Sequence, residues 1–337
     1  MVVMYHYGFR GFAADNMTVM PPPMSPMIAK YGYLGVQLFF LISGFVILMT
    51  ASSGSLRKFV ISRVVRLYPA FWFACSLTAL ATLIIGGGHF SVSLHQYLFN
   101  LSMLNEFFGV ESIDGVYWSL AIEMQFYAFV ALLLLAGKIN EVERYAIGWL
   151  CISILINLLP GYWPKRLLIT NFSPLFIAGA MFYRTYVHGP SIARILTILV
   201  AWATTLVTEI RGLGSIRAHF RTEFDPAVIA VVVTVFFVAL GIVALHRTGA
   251  ASRWRWTTLG ALTYPLYLLH QNLGFMTFNI AYGSVAPWLL LCIVVIAMLL
   301  LAYLVHTQIE TRYAKRFSAA LNRFADWLSG VRSVLRR

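Results

Sequence analysis

Stretches of mostly apolar residues alternate with short polar or basic segments along almost the whole chain. An α-helix needs about 20 mostly apolar residues to cross a bilayer, and stretches of this length recur through the sequence. The pattern predicts membrane-spanning helices near residues 33–50, 67–87, 117–136, 144–160, 167–187, 192–208, 226–246, 257–280 and 285–306. A shorter apolar stretch, MVVMYHYGF, precedes them and matches the outer end of one more span. We therefore predict an all-α polytopic membrane helix bundle of about ten spans with the first one truncated.

Composition supports a membrane protein and argues against a soluble one. Hydrophobic residues make up 60% of the 337-residue chain and charged residues 11%, too few to cover a water-facing surface. No hydrophilic block is long enough to fold separately, which predicts one membrane domain over residues 1–306. Residues 307–337 are predicted to be a basic, amphipathic cytoplasmic tail on the membrane surface. The three cysteines are scattered in apolar stretches, which indicates packing rather than disulfides or metal binding.

Basic residues predict the orientation of the spans. Cytoplasmic loops accumulate Lys and Arg, and the order of the predicted spans places all but seven of the 25 basic residues on one side. The seven on the other side are Arg10, Lys30, Lys165, Arg166, Arg211, Arg217 and Arg221. This asymmetry predicts that both termini are cytoplasmic. The basic side would face an anionic lipid leaflet, which accounts for the formal net charge of +13 without a nucleic acid partner.

Ionisable residues within predicted spans are costly in lipid and are therefore functional candidates. They are Glu123 in GVYWSLAIEMQFYAF, His270 in LTYPLYLLHQNLG and His6 in the first apolar stretch. A rise of 1.5 Å per residue places them roughly 9, 15 and 5 Å below the outer ends of their spans, so we expect them to converge on an outer cavity. Glu123 needs a cation or a water-filled pocket. A structural hydrogen bond between helices explains His270 equally well.

Two arginines lie three residues apart in the basic segment SLRKFVISRVVRLYP, which is predicted to be a cytoplasmic loop. On a helical turn, Arg63 and Arg66 point the same way, toward the inner surface. Paired guanidinium groups match phosphate oxygens and therefore suit a phosphate-bearing ligand. Alternatively, both are ordinary charges that orient the spans.

Four sequence blocks follow one another in order, with YHY before them: GVQLFFLISGFVI, SRVVRLYPAFW, YWSLAIEMQFYAF and LTYPLYLLHQN. Together they resemble the signature blocks of the membrane acyltransferase-3 family. The resemblance implies a polytopic helix bundle in the inner membrane of a bacterium. It also implies transfer of an acyl group, commonly acetyl from acetyl-CoA, to a hydroxyl of a carbohydrate, a glycolipid or another small acceptor. Acyl-CoA would be a co-substrate, with no bound cofactor and no metal.

The resemblance extends to particular residues. His6 matches a histidine regarded as essential in the family, and Glu123, Arg63, Arg66 and His270 match further family positions. Acyl transfer to an alcohol needs a base, charge stabilisation at the carbonyl oxygen and exclusion of water. We expect His6 to be the general base with Glu123 as its support, or His6 to carry the acyl group itself. Arg63 and Arg66 would bind the phosphates of acyl-CoA.

Aromatic and polar residues near these positions are expected to form the acceptor pocket, because aromatic faces suit sugar rings. The pocket residues are Ser119, Trp118, Tyr267 and His270. Trp118 is equally consistent with an anchor at the membrane interface. Met124 and Thr263 depart from the family blocks without removing a group that the chemistry needs.

The first apolar stretch departs most from the family, whose first span begins earlier with a basic residue. We therefore expect the true start to lie upstream of Met1, with an arginine or lysine about three turns before His6. An inactive family member is one alternative. A transporter or flippase is another, because ionisable residues in spans also mark proton relays. Ser43 and Gly44 are expected to serve close helix packing.

Overall fold

The structure is a computed structural model that describes residues 1–13, 15–161, 163–249 and 256–335, without the side chains of residues 257 and 329–335. The described residues form helices and turns, and no β-strand occurs among them. The α-helices are, in chain order, α1 (Val2–Tyr5), α2 (Gly11–Ala13), α3 (Pro26–Ala29), α4 (Gly35–Ala51), α5 (Leu56–Ile85), α6 (Leu94–Asn100), α7 (Trp118–Leu135), α8 (Val142–Leu158), α9 (Trp163–Leu167), α10 (Ser173–His188), α11 (Ile192–Phe220), α12 (Pro226–Ala244), α13 (Thr257–Ala281), α14 (Pro287–Val305) and α15 (Arg312–Leu335). The predicted all-α class is confirmed. Residues 336 and 337 of the predicted tail lie outside the described residues.

Six helical stretches of the described chain are long and apolar enough to cross a membrane. They are Pro26–Ala51, Leu56–Ile85, Gly115–Leu135, Ile192–Phe220, Pro226–Ala244 and Pro287–Leu328. Three further predicted spans coincide with α8, α10 and α13, which have 17, 16 and 25 residues. The helices therefore fit a multi-pass membrane bundle.

Three predicted boundaries are wrong. α5 begins at Leu56 rather than near residue 67, because the Ser55 hydroxyl caps it by accepting a hydrogen bond from the Lys58 amide. The basic segment predicted as a loop is therefore helical. α11 continues to Phe220 rather than ending near residue 208, and α10 begins at Ser173 rather than near residue 167. Charged residues lower the hydropathy of the added parts of α5 and α11 without breaking their helical backbone.

The chain forms two compact units. Unit 1 comprises residues 1–54 and 118–255, and unit 2 comprises residues 55–117 and 256–337. Within unit 1, α10 packs against α4, α8, α11 and α12. Within unit 2, α13 packs against α14 and α5, and α15 lies along α5.

A pair of glycines allows α4 and α10 to pack closely in unit 1. A Cβ atom at Gly44 would overlap the carbonyl oxygen of Phe176, and one at Gly179 would overlap the carbonyl oxygen of Leu41. Small residues at such contacts let helix backbones approach within van der Waals distance in a membrane. The packing expected of Gly44 is therefore present.

Polar contacts fix α13 within unit 2. The Tyr264 hydroxyl donates to the carbonyl oxygen of Leu67 on α5 at 3.0 Å. Asp114 is fully buried, and its Oδ2 accepts a hydrogen bond from the Asn272 amide at 2.9 Å. These bonds satisfy polar groups that would otherwise be costly in an apolar surrounding.

Candidate active site

His6 begins a π-helical segment, His6–Arg10, that follows α1. Its side chain is only 4% exposed, and its ring lies 5.3 Å from the ring of Tyr5 between centroids. The end of the segment is fixed by Asp15, which pairs with Arg10 and with His219 of α11, at 2.8 Å each. π-Helical turns are rare and frequently occur at functional sites. The structure therefore places His6 in a buried, irregular and well-anchored part of unit 1.

Glu123 lies on the buried face of α7, one turn after the fully buried Ser119. Its Oε1 accepts a hydrogen bond from the Ser43 hydroxyl of α4 at 2.9 Å. Ser43 therefore has a polar role besides helix packing. A carboxylate in this position needs such donors, because burial in an apolar surrounding penalises its charge.

Trp118 begins α7 and is half-buried. Its ring lies 6.2 Å from the ring of Phe40 and 5.6 Å from that of Phe172, between centroids. These contacts hold the indole in an aromatic cluster of unit 1.

Arg66 on α5 belongs to a charged cluster in unit 2. Its Nη1 lies 2.9 Å from Glu310 Oε1, and His306 Nδ1 lies 2.7 Å from Glu310 Oε2. The guanidinium also lies over the Tyr264 ring, 5.4 Å from its centroid. His306 and Glu310 belong to a second π-helical segment, His306–Thr311, which links α14 to α15. Arg66 is therefore already ion-paired, although it was expected to bind phosphate.

A groove of about 550 Å³ lies between α5, this π-helical segment and α15. Its lining residues are Lys58, Ile61, Ser62, Val65, Arg66, His306, Glu310, Thr311, Ala314, Ser318 and Asn322. Arg63 is not among these described lining residues; its Nη2 donates to the Ser62 hydroxyl at 3.1 Å. The two arginines of the predicted pair therefore have different surroundings.

Tyr267 and His270 lie on α13 of unit 2. The Tyr267 hydroxyl donates to the carbonyl oxygen of Val116 at 2.8 Å. His270 is fully buried, and its Nδ1 lies 3.1 Å and 2.9 Å from the carbonyl oxygens of Leu266 and Tyr267. Because carbonyl oxygens only accept hydrogen bonds, Nδ1 carries the proton and Nε2 is the acceptor of this tautomer.

The predicted site residues divide between the two units. Unit 1 contains His6, Glu123, Ser119 and Trp118, and unit 2 contains Arg63, Arg66, Tyr267 and His270. Among the described residues, no cluster of three or more His, Cys, Asp or Glu side chains is suited to hold a metal ion.

Comparison with known proteins identifies the chemistry of this chain. The acyltransferase-3 family model, described as an acyltransferase domain, matches residues 1–307. The chain belongs to the acyltransferase-3 family. This acyltransferase is 26% identical to "Nodulation protein 10" of Rhizobium leguminosarum bv. viciae over 306 residues, covering 82% of this chain and 80% of the relative. It is 31% identical to "Putative acetyltransferase ORF330" of Acidianus two-tailed virus over 279 residues, covering 77% of this chain and 80% of that protein. No solved structure matches it.

Family membership confirms the resemblance seen in the four sequence blocks. The protein is an acyltransferase, and its apolar helices make it a multi-pass membrane protein. The individual roles expected of the eight site residues stay predictions.

Sequence reasoning missed three buried acids among the described residues of this acyltransferase: Asp114, Glu209 and Glu310. Glu209 lies one residue beyond the predicted end of its span, yet α11 continues past it and buries its side chain. Glu310 lies in the predicted surface tail, yet its side chain is buried and only 8% exposed. The signal for Glu209 was the run VTEIRGL, in which residues 209 and 213 fall on one helix face. For Glu310 the signal was the i, i+4 spacing from His306.

Proposed function

We propose that this acyltransferase moves an acetyl group from acetyl-CoA to a hydroxyl of a carbohydrate or glycolipid, with His6 as general base and Glu123 as its support. The observation that carries the proposal is a buried histidine and a buried carboxylate in the same compact unit of an acyltransferase-3 chain. Imidazole is the side chain whose ordinary titration range suits proton transfer near neutral pH. A carboxylate stabilises the imidazolium that forms when it accepts a proton.

The reaction breaks the thioester C–S bond and forms an ester C–O bond. His6 takes the proton from the acceptor hydroxyl as its oxygen attacks the thioester carbonyl carbon. Collapse of the tetrahedral intermediate expels the CoA thiolate, and the His6 imidazolium returns the proton to that sulfur. The products are an O-acetylated acceptor and CoA with a free thiol. Burial of His6 supports this scheme, because exclusion of water suppresses hydrolysis of the thioester.

We propose that the groove of unit 2 binds the phosphates of acetyl-CoA. Lys58 and Arg66 supply positive charge along one wall, and Arg63 lies one turn before Arg66 on the same helix. Guanidinium groups bind phosphate oxygens through paired hydrogen bonds. Glu310 pairs with Arg66, so donor phosphates would compete with this carboxylate. The basic residues of this groove favour a cytoplasmic location for it, with both termini on that side of a bacterial inner membrane.

For the acceptor side, we propose contacts by Trp118, Ser119, Tyr267 and His270. The half-buried indole of Trp118 offers an apolar face, and the tautomer of His270 makes its Nε2 a hydrogen-bond acceptor. The name of the viral relative, "Putative acetyltransferase ORF330", supports acetyl as the transferred group.

Turnover of radiolabelled acetyl-CoA by purified protein in lipid nanodiscs tests the proposal. The acceptors are maltotetraose, chitotetraose and the glycolipid octyl glucoside. We expect wild-type protein to label at least one of them and His6→Ala to lose transfer by about a thousandfold or more. His188→Ala is the matched control, because His188 is an exposed histidine at the end of α10 in the same unit. Full activity of His6→Ala would remove His6 from the mechanism. Absence of transfer by the wild type would favour the inactive or transporter alternatives.

A further inference from the structure

Gln37 of α4 and Glu209 of α11 form a polar pair inside unit 1. The Gln37 amide nitrogen Nε2 donates to Glu209 Oε1 at 2.9 Å. The two side chains are 6% and 9% exposed. A buried carboxylate between membrane helices is costly and marks a functional site by default. Apolar packing alone therefore does not explain this pair.

One buried polar atom of the pair and one of a neighbouring residue have no hydrogen-bond partner among the described residues. They are the hydroxyl oxygen of Tyr33 and Oε1 of Gln37. Tyr33 precedes Gln37 by four residues, so both project from one face of the same helical stretch. The Tyr33 hydroxyl lies within electrostatic range of the Glu209 carboxyl group. Since folded proteins satisfy nearly all buried polar atoms, these two atoms mark a place for a further polar group.

The side chain of Tyr5 connects this place to His6. The Tyr5 ring lies 5.3 Å from the His6 ring and 6.0 Å from the Tyr33 ring, between centroids. Gly32 permits this approach, because a Cβ at that position would lie 2.9 Å from the Cβ of Tyr5. Tyr33 is therefore separated from the proposed base by a single aromatic ring.

Phe224 packs against Tyr33 and also lines a cavity. The Phe224 ring lies 6.2 Å from the Tyr33 ring and 6.0 Å from the Phe9 ring, between centroids. Phe224 also lines a cavity of about 720 Å³ in unit 1, which Lys30 and Arg217 line as well. Aromatic faces next to polar groups suit a ligand that is apolar on its ring faces and carries hydroxyls at its edge.

We infer that Tyr33, Gln37 and Glu209 bind hydroxyl groups of the carbohydrate acceptor next to the hydroxyl that His6 deprotonates. The inference rests on the proposed function and assigns it acceptor-binding residues. One acceptor hydroxyl accepts a hydrogen bond from Tyr33 and donates one to Gln37 Oε1, which satisfies both atoms. A neighbouring hydroxyl donates to the Glu209 carboxylate. No covalent bond changes at these three residues.

Tyr33→Phe is the sharpest test, because it removes only a hydroxyl that has no hydrogen-bond partner in the described part of the chain. With radiolabelled acetyl-CoA and the acceptor that wild-type protein uses best among maltotetraose, chitotetraose and octyl glucoside, we expect acceptor KM to rise about fivefold. The KM for acetyl-CoA and the thermal midpoint should not change. Glu209→Gln, which keeps the shape of the side chain, should raise acceptor KM about tenfold. The control is Tyr97→Phe, which removes a hydroxyl that pairs with Ser76 in unit 2.

Failure of the inference and failure of the proposed function give different results. If wild-type protein acetylates an acceptor and both variants keep its acceptor KM, the inference is overturned and the proposed function stands. If Glu209→Gln lowers the thermal midpoint but leaves the acceptor KM unchanged, the Gln37–Glu209 pair has only a structural role, and the inference is also overturned. If wild-type protein transfers acetyl to none of the acceptors, the proposed function fails and removes the inference with it.

Discussion

Glu143 and Glu209 are carboxylates of unit 1, the first half-buried and the second buried, and their partners differ in charge. Glu143 Oε1 lies 2.6 Å from Arg184 Nε and 3.0 Å from Arg194 Nη2, so two guanidinium groups hold it. Glu209 Oε1 instead accepts from the neutral amide of Gln37. A carboxylate held by two cations has its charge balanced within the protein and joins α8, α10 and α11. A carboxylate held by a neutral donor can still accept strong hydrogen bonds from a ligand.

Glu123 resembles Glu209 in this respect, because one of its contacts is the neutral hydroxyl of Ser43. Glu143 joins helices through two ion pairs, whereas we propose that Glu123 and Glu209 act in catalysis and acceptor binding. Substitutions at each kind of site should affect different quantities: turnover or KM at one, and thermal stability at the other.

The largest expected effect is on turnover at Glu123. Glu123→Gln keeps the size of the side chain but removes the negative charge that would stabilise the His6 imidazolium, so we expect kcat to fall about a thousandfold. The thermal midpoint should stay near that of the wild type. Ser43→Ala, which removes one donor to Glu123, should lower kcat about tenfold. Wild-type turnover by Glu123→Gln would show instead that Glu123, like Glu143, has a structural role.

At Glu143 the effect should be on stability. Glu143→Gln leaves Arg184 and Arg194 without their anionic partner, and the side chains involved are 23%, 21% and 13% exposed. We expect a loss of about 2 kcal/mol in the free energy of unfolding, visible as a lower thermal midpoint in nanodiscs. Turnover per folded molecule should be unchanged. A large loss of kcat at an unchanged midpoint would contradict the distinction between the two acids.

A smaller effect is expected at the arginines of unit 2. Arg66 lines the groove and Arg63 is not among its described lining residues, so Arg66→Ala should raise the KM for acetyl-CoA about tenfold and Arg63→Ala by less. The measurement is initial rate against acetyl-CoA concentration at fixed acceptor. Arg66→Lys keeps the charge and should lie between wild type and Arg66→Ala. Equal KM values in all four proteins would exclude the groove as the donor contact.

The smallest effect is expected at an exposed pair near the start of α8. Lys138 hydrogen-bonds Glu141 at 2.6 Å and holds the pKa of that carboxyl below its ordinary value. A lowered pKa stabilises the folded state above the ordinary pKa of the carboxyl, and this contribution is lost as pH falls through the lowered pKa. Because the pair is solvated, Lys138→Ala should not measurably change the thermal midpoint at neutral pH. A clear drop in the thermal midpoint at neutral pH would show that exposed ion pairs also stabilise the packing of these helices.

The sequence predicted the spans best where apolar residues are continuous. The predicted span 226–246 ends two residues after α12, whose start at Pro226 follows the Asp225 cap. The prediction failed in α5, where basic residues share a helix with apolar ones, and in α11, where charged residues of both signs do. Hydropathy measures composition, whereas a helix continues as long as its backbone hydrogen bonds and caps allow.

For the candidate site, sequence reasoning identified individual residues but not their partners. Glu123 and Ser119 share a buried face as their four-residue spacing predicts. The pairing of Glu123 with Ser43, of Gln37 with Glu209 and of Arg66 with Glu310 joins residues far apart in sequence. Such contacts depend on how helices pack, and no local pattern encodes that.

Mass spectrometry of cell-surface carbohydrates tests the central claim most directly. A host that lacks O-acetylation of its own would produce either the wild-type protein or His6→Ala, each confirmed to be in the membrane at equal amounts. We expect a glycan species heavier by one acetyl group with the wild type and its loss with His6→Ala. An unmodified glycan profile in the presence of abundant wild-type protein and acetyl-CoA would contradict acetyl transfer to carbohydrate. The same acetylated species with His6→Ala would contradict the role of His6.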